Sequence, residues 1–165
     1  MTNFFLKITK RLRARTALPF VPNGEVHIDI GCGKDRYFLN MSPCKNKIGL
    51  DIVFGDYISN KIPASDNYAD CVSMLATLEH LEYPEAIISE SHRVLKEGGI
   101  LIITSPIILT HWISKIYCFN FESKYGRHVQ YFNYNSLKKL TSKDFVELKY
   151  KRFEFGLNQL IILRK

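Results

Sequence analysis

The chain has 165 residues, 46% of them hydrophobic and 24% charged, with a formal net charge of +7 at pH 7. This fits one domain with a single core and ordinary globular composition. No apolar run reaches the roughly 20 residues of a membrane-spanning helix. The longest, Gly99 to Leu109, is broken by Thr104, Ser105 and Pro106. The four cysteines, Cys32, Cys44, Cys71 and Cys118, are scattered without a C-x-x-C pair. That argues against a zinc cluster and for reduced thiols. The N-terminus lacks an apolar core and cleavage site of the secretory kind, so the expected location is cytoplasmic.

Residues 1–22 form a basic arm, helical to about residue 18 and stopped near Pro19 and Pro22. It carries Lys7, Lys10, Arg11, Arg13 and Arg15 and no acid, beside Phe4, Phe5, Leu6 and Ile8. Charge mixed with apolar residues suits an interfacial helix on an anionic membrane surface, which would make the protein peripheral there. RNA phosphates are a second partner for the same charge. A solvated helix packed on a sheet edge explains it equally well.

Asn23-Gly24 turns into a strand, Val26 to Ile30, followed by Gly31 and Gly33 and a helix from Lys34 to Met41. Strand, glycine turn and helix bring backbone N–H groups up to a nucleotide-like ligand. Gly31 permits the tight turn, and Gly33 lets a ligand approach without meeting a Cβ. The dinucleotide pattern G-x-G-x-x-G needs glycine where this chain has Arg36, which counts against a nicotinamide or flavin dinucleotide. Lys47 to Ile52 reads as the next strand, with Asp51 at its end, twenty residues beyond Gly31. An acid at this offset accepts hydrogen bonds from ribose hydroxyls; the alternative is that Asp51 caps the following loop.

Gly55 to Asn60 leaves room for a short third strand, and Asp70 to Leu75 reads as a fourth. Pro84 then opens a helix reaching about Glu97, with Lys96 in its last turn and Gly98-Gly99 closing it. Ile100 to Thr104 is a fifth strand. Residues 106–134 crowd aromatics with His111 and His128, as in a lid-like insertion over a pocket or a small satellite core. Asn135 or Ser136 caps a helix to Thr141, and Val146 to Phe153 and Gln159 to Leu163 form an antiparallel hairpin. Alternating strands and helices predict an α/β, Rossmann-like doubly wound sheet, mostly parallel with an antiparallel C-terminal strand. Residues 23–165 would form this one domain. Gly31, Asp51, Leu75 and Ser105 would share the edge where ligands bind.

The segments Asp29-Ile-Gly-Cys-Gly33, Gly49-Leu50-Asp51, Ile62 to Asp70, Leu78-Glu79-His80 and Glu90 to Gly99 occur in an order that resembles the class I S-adenosylmethionine-dependent methyltransferases, in particular the small type 11 group. Asp35 stands where that family's first motif has a third glycine. The resemblance implies a seven-stranded sheet with its last strand antiparallel, and S-adenosylmethionine as cofactor. It places Gly31, Cys32 and Gly33 at the methionine end, Asp29 near the amino group, Asp51 with Ile52 at the ribose, and Met74 and Leu75 along the cofactor. Asp56 and Asn60 are candidates for the adenine contact. No metal is implied. His80 is a candidate general base or acceptor-orienting donor, or else a loop-capping residue; His111 and His128 are further candidates. A small molecule or glycan is the expected acceptor. Methylation of RNA or protein, and non-catalytic binding of the cofactor, remain as alternatives.

Overall fold

A computed structural model describes residues 2–55, 61–108, 110 and 130–165, with side chains from residue 7 onward. The expected third strand at 56–60, Asp56, Asn60, His111 and His128 lie outside the described residues, as does most of the lid-like insertion. The order is α1 (Thr2–Ala17), β1 (Val26–Ile30), α2 (Tyr37–Met41), β2 (Asn46–Leu50), β3 (Ala69–Leu75), α3 (Pro84–Val94), β4 (Leu95–Pro106), α4 (Tyr134–Thr141), β5 (Val146–Phe153) and β6 (Asn158–Arg164). Short helical turns, Leu18–Phe20, Ile52–Phe54 and Leu78–His80, follow α1, β2 and β3.

The six described strands form one sheet in the order β2-β1-β3-β4-β6-β5. β1 runs parallel to β2 and β3, and β3 parallel to β4, while β6 is antiparallel to both β4 and β5. The chain leaves β1 toward β2 and returns to the other side at β3. Their C-terminal ends therefore flank the switch point where open α/β sheets bind ligands.

Strand alternation divides the core into two layers. Val26, Ile28, Val72, Met74, Leu101 and Ile103 meet Ile87, Val94 and Leu137 on the face carrying α3 and α4. Cys71, Ile102, Leu160 and Ile162 meet Ala14, Ala17 and Phe38 on the face carrying α1 and α2. The small residues Ala14 and Ala17 let the basic helix lie close to the sheet, so its inner side is built into the core.

Three expected boundaries differ. The helix after Pro84 ends at Val94: its last carbonyls are taken by Asn67 N (3.0 Å, on Arg93 O) and Tyr68 N (2.8 Å, on Val94 O), and Leu95 turns extended to pair with Ala69. Lys96, Glu97 and the two glycines thus lie in β4. The helix after the glycine turn begins at Tyr37, because Arg36 adopts φ +47, a left-handed conformation that a helix cannot contain. The helix before β5 is capped by Asn133, whose side chain accepts from Ser136 N at 2.9 Å while the Ser136 hydroxyl accepts from Asn133 N at 2.9 Å.

Candidate functional site

The glycine turn leaves β1 at the switch point. Gly31 N donates to Leu50 O at 2.8 Å, which ties the turn to β2. Gly31 holds φ +74, and a Cβ there would run into the Thr77 side chain. Gly33 holds φ +69, but a Cβ there would meet nothing closer than Asp35 and Lys10 atoms at 3.7 Å. Gly31 is therefore required by turn and packing, and Gly33 by its left-handed backbone, with room for a neighbour at ordinary contact distance.

Asp51 ends β2 and reaches back across this turn. Its Oδ2 accepts from Gly33 N at 2.8 Å, and its Oδ1 from Val53 N at 3.0 Å. It caps the turn Ile52–Phe54 and at the same time fixes the glycine loop. Ile52 is 59% exposed and Phe54 43%, so an apolar pair borders the edge beyond Asp51.

Below the turn, Asp29 is buried and accepts from the Ser73 hydroxyl across the register pair Asp29↔Ser73. Ser73 in turn bonds His27 Nε2 at 2.8 Å. One hydroxyl proton serves this chain only if His27 donates from Nε2 and Ser73 donates to Asp29. Burial holds the His27 ring neutral, with its pKa lowered to about 4. Burial pushes the Asp29 carboxyl up to about 7, against the Ser73 hydrogen bond; the nearby Asp51 charge adds to the rise. A cationic amine beside Asp29 would stabilise its ionised form. Cys32 is no nucleophile: burial next to Asp29 and Asp51 raises its thiol to about 12.

A cavity of about 50 Å³ opens over the turn, lined by Asp29, Gly31, Cys32 and Leu75 from the sheet edge, by Tyr37 and Phe38 from α2, and by Lys10, Arg13 and Ala14 from α1. Lys10 pairs with Asp35, so α1 is clasped to the glycine loop. The structure thus gathers Asp29, Gly31, Cys32 and Leu75 around one cavity, with Asp51 bonded to Gly33 beside it. Met74 faces the opposite way, into the core under α3. His80 sits partly exposed in the turn after β3, while its neighbour Glu79 is 1% exposed. The α1 residues escape a motif-based reading. Their one sequence signal is helical spacing, which puts Lys10, Arg13, Ala14 and Ala17 on a single side.

These residues fit an adenosylmethionine-like group: a left-handed glycine turn at Gly31 and Gly33 bordering a cavity, a buried carboxyl at Asp29 and a carboxylate at Asp51, all at the switch point. Residues 4–143 match the family model described as methyltransferase domain. The match is to that domain and does not single out the type 11 group. A tRNA (carboxymethyluridine(34)-5-O)-methyltransferase of Arabidopsis thaliana is 27% identical over 121 residues, 58% of this chain and 29% of that protein. A ubiquinone/menaquinone biosynthesis C-methyltransferase of Neisseria gonorrhoeae is 40% identical over 45 residues, 27% of this chain and 18% of that protein. The chain's matches thus span less than a third of either relative's length. A solved structure from Thermotoga maritima, a SAM-dependent methyltransferase described as a possible histamine N-methyltransferase, superposes with TM-score 0.67 at 22% identity, covering 98% of this chain and 96% of that one. The chain belongs to the methyltransferase-domain family, with the class I fold and S-adenosylmethionine as its cofactor.

Proposed function

We propose that this methyltransferase acts on a small molecule or glycan and binds its cofactor through Asp29, Gly31, Cys32, Gly33 and Asp51. Ile52 would border the ribose and adenine, and the backbone at Met74 and Leu75 would run along the cofactor. One observation carries this reading: the glycine turn, with Gly31 and Gly33 both at positive φ, borders a cavity at the switch point beside buried Asp29, and Asp51 holds the turn in that shape. S-adenosylmethionine, when bound, supplies a methyl group already activated on a sulfonium. The protein's task is then to align an acceptor behind that carbon and keep water away. The roof formed by α1 favours an acceptor whose reacting end enters a narrow space.

Calorimetric titration with S-adenosylmethionine and S-adenosylhomocysteine tests this. Micromolar binding of both is expected. Asp51→Ala should weaken it by about 1–3 kcal/mol, the cost of losing hydrogen bonds to a charged acceptor. An unchanged affinity would remove Asp51 from the site.

A polynucleotide acceptor is the second reading. It is favoured by the exposed Lys7, Arg11 and Arg15 on the outer side of α1 and by the tRNA specificity of the Arabidopsis relative. RNA binding that weakens steeply with salt would support it. The same face supports a cytoplasmic protein peripheral to an anionic membrane.

A further inference from the structure

Among the described residues, four buried side-chain polar atoms at the C-terminal edge of the sheet lack a partner: Arg13 Nε, Glu79 Oε2, Thr104 Oγ1 and Glu154 Oε1. They come from four separate parts of the chain. Arg13 lies on the inner side of α1 and lines the cavity over the glycine turn. Glu79 follows β3, and its main-chain carbonyl accepts from Gln130 N at 3.3 Å. Glu154 is in the β5–β6 turn, its other oxygen held by the Asn158 amide. Thr104 is on β4, level with Leu75 and Leu160, two residues beyond Ile102 and so on the α1 face. Arg13 is close enough to both acids for each to favour its charge, Glu154 more than Glu79. A folded chain rarely leaves such groups unpaired without a bound water or ligand to complete them, since each costs about 1–3 kcal/mol.

The unpaired set defines what would complete it. Glu79 and Glu154 offer lone pairs, Arg13 offers an N–H, and Thr104 offers either. An ammonium brings donors and no lone pair for Arg13. A carboxylate or phosphate brings acceptors and repels both glutamates. A hydroxyl accepts from Arg13 while donating to Glu79. Glu79 lies four residues beyond Leu75, the last residue of β3, which lines the cavity.

Resting on the methyltransferase reading above, we propose that a hydroxyl-bearing acceptor completes this group of unpaired atoms, with Arg13 and Thr104 orienting the hydroxyl, Glu154 favouring the Arg13 charge and Glu79 taking the hydroxyl proton as general base. The acceptor oxygen attacks the methyl carbon, an O–C bond forms as the C–S bond breaks, and S-adenosylhomocysteine leaves with the sulfur electron pair. The hydroxyl proton passes to the Glu79 carboxylate and is later lost to water. Product is a methyl ether; no oxidant or further reactant is needed. Burial supports the role by raising the Glu79 carboxyl to about 7, against the pull of Arg13. A base serves best when its pKa lies near the working pH.

The test uses the full chain with methyl-labelled S-adenosylmethionine and matched probes: glycerol and methyl glucoside, each beside its amino counterpart. Cofactor binding is measured separately, so loss of that binding tells against the methyltransferase reading itself. Given bound cofactor, label is expected as ether on the hydroxyl probes. The rate should rise about tenfold per pH unit below pH 7 and level off above it. The groups facing Glu79 from its neighbours are Arg13 on α1, Tyr131 before α4, and Glu154 beyond Arg13, with His80 adjacent in the same turn. His80→Gln should keep the rising limb. Glu79→Gln should keep cofactor affinity, lower kcat about a hundredfold or more, and abolish the limb; Glu79→Asp should restore part of both. Arg13→Gln should raise KM for the hydroxyl probe and keep the limb. Label on the amines alone, no ether formed by protein that binds cofactor, or an intact pH limb in Glu79→Gln would each overturn the proposal.

Discussion

Arg93, near the end of α3, binds a loop that has almost no regular structure of its own. Its Nε and one terminal nitrogen grip Glu90 as a fork, both at 2.7 Å. The remaining hydrogens reach Ala64 O at 2.9 Å, Ile62 O at 3.0 Å and Asp66 Oδ1 at 2.6 Å. Glu90 completes the clasp by accepting from Ile62 N at 2.9 Å. The paired acids hold the guanidinium well above its usual range. Glu90 and Arg93 are thus legible from sequence as part of a family-like segment, but their work becomes visible only when 61–66 and α3 meet in space. Arg93→Ala should destabilise the fold by about 2 kcal/mol, since hydrogen bonds to charged groups are lost and the Ala64 carbonyl is left unpaired, while Ile62 O keeps its bond from Ala64 N. Arg93→Lys should recover little of this, because an ammonium cannot fork onto Glu90 and also span the loop. Urea unfolding at constant m-value checks both; Arg93→Lys as stable as the unaltered chain would refute the geometric account.

Among the elements, α1 shows how one helix carries two roles on opposite sides. Ala14 and Ala17 are in the core, and Lys10 and Arg13 face the cavity. Ile8 is 36% exposed and Leu12 42%, one helical turn apart, and Lys7, Arg11 and Arg15 are exposed around them. Apolar residues flanked by cations favour an anionic lipid surface. Each cation near such a surface contributes about 1 kcal/mol, so Arg11→Gln should weaken partitioning to vesicles containing phosphatidylglycerol about fivefold. Ile8→Ser with Leu12→Ser should weaken it further by removing apolar insertion. Equal partitioning of all variants, or equal binding to neutral vesicles, would leave this face solvated. The charge and apolar character of α1 were readable from the sequence. Helical spacing groups Lys10, Arg13, Ala14 and Ala17 on one side, but that this side meets the sheet was not readable, because Ala14 and Ala17 look like ordinary helix formers until a sheet lies against them. Strand identities were easier to read: β1 and β3 are short apolar runs with β-branched residues, and their burial on both faces leaves few alternatives. The end of α3 was harder, because Lys96, Glu97 and Gly98 carry helix-end chemistry while the pairing Ala69↔Leu95 starts β4 earlier.

At the scale of the whole molecule, the site lowers stability, and the effect has a definite pH signature. Asp29 and Glu79 are wholly buried and their pKa values are raised from ordinary carboxylate values to about 7. Between about pH 4 and 7 the unfolded chain releases these protons while the folded chain keeps them. Stability from these two groups therefore falls as pH rises through that window, because the folded state binds more protons. His27 acts in the opposite sense. Its folded pKa is lowered from 6.5 to about 4, so its contribution is lost as pH falls through the same range. The opposed slopes flatten the profile of the native protein. Asp70 and Glu90 add ordinary acid lability, since Lys96 and Arg93 hold their carboxyls below the usual range, and that stability is lost as pH falls through the lowered values. Removing the raised carboxyls should unmask the imbalance. Glu79→Gln keeps the shape and hydrogen-bonding reach of the side chain, so its unfolding midpoint should match that of the native protein near pH 4. The variant should become progressively more stable than the native protein up to about pH 7, with a constant gap above. Asp29→Asn should behave likewise unless the loss of its bond from Ser73 offsets the gain, and urea titrations at pH 4, 5.5, 7 and 8 separate the two because that loss is independent of pH. A Glu79→Gln protein less stable than the native one at pH 8 would mean that Glu79 is held as a well-paired anion. Arg13, Glu79 and Glu154 would then be a structural ion cluster, whereas the predicted gain fits a stability cost accepted to keep a base unpaired at the acceptor's position.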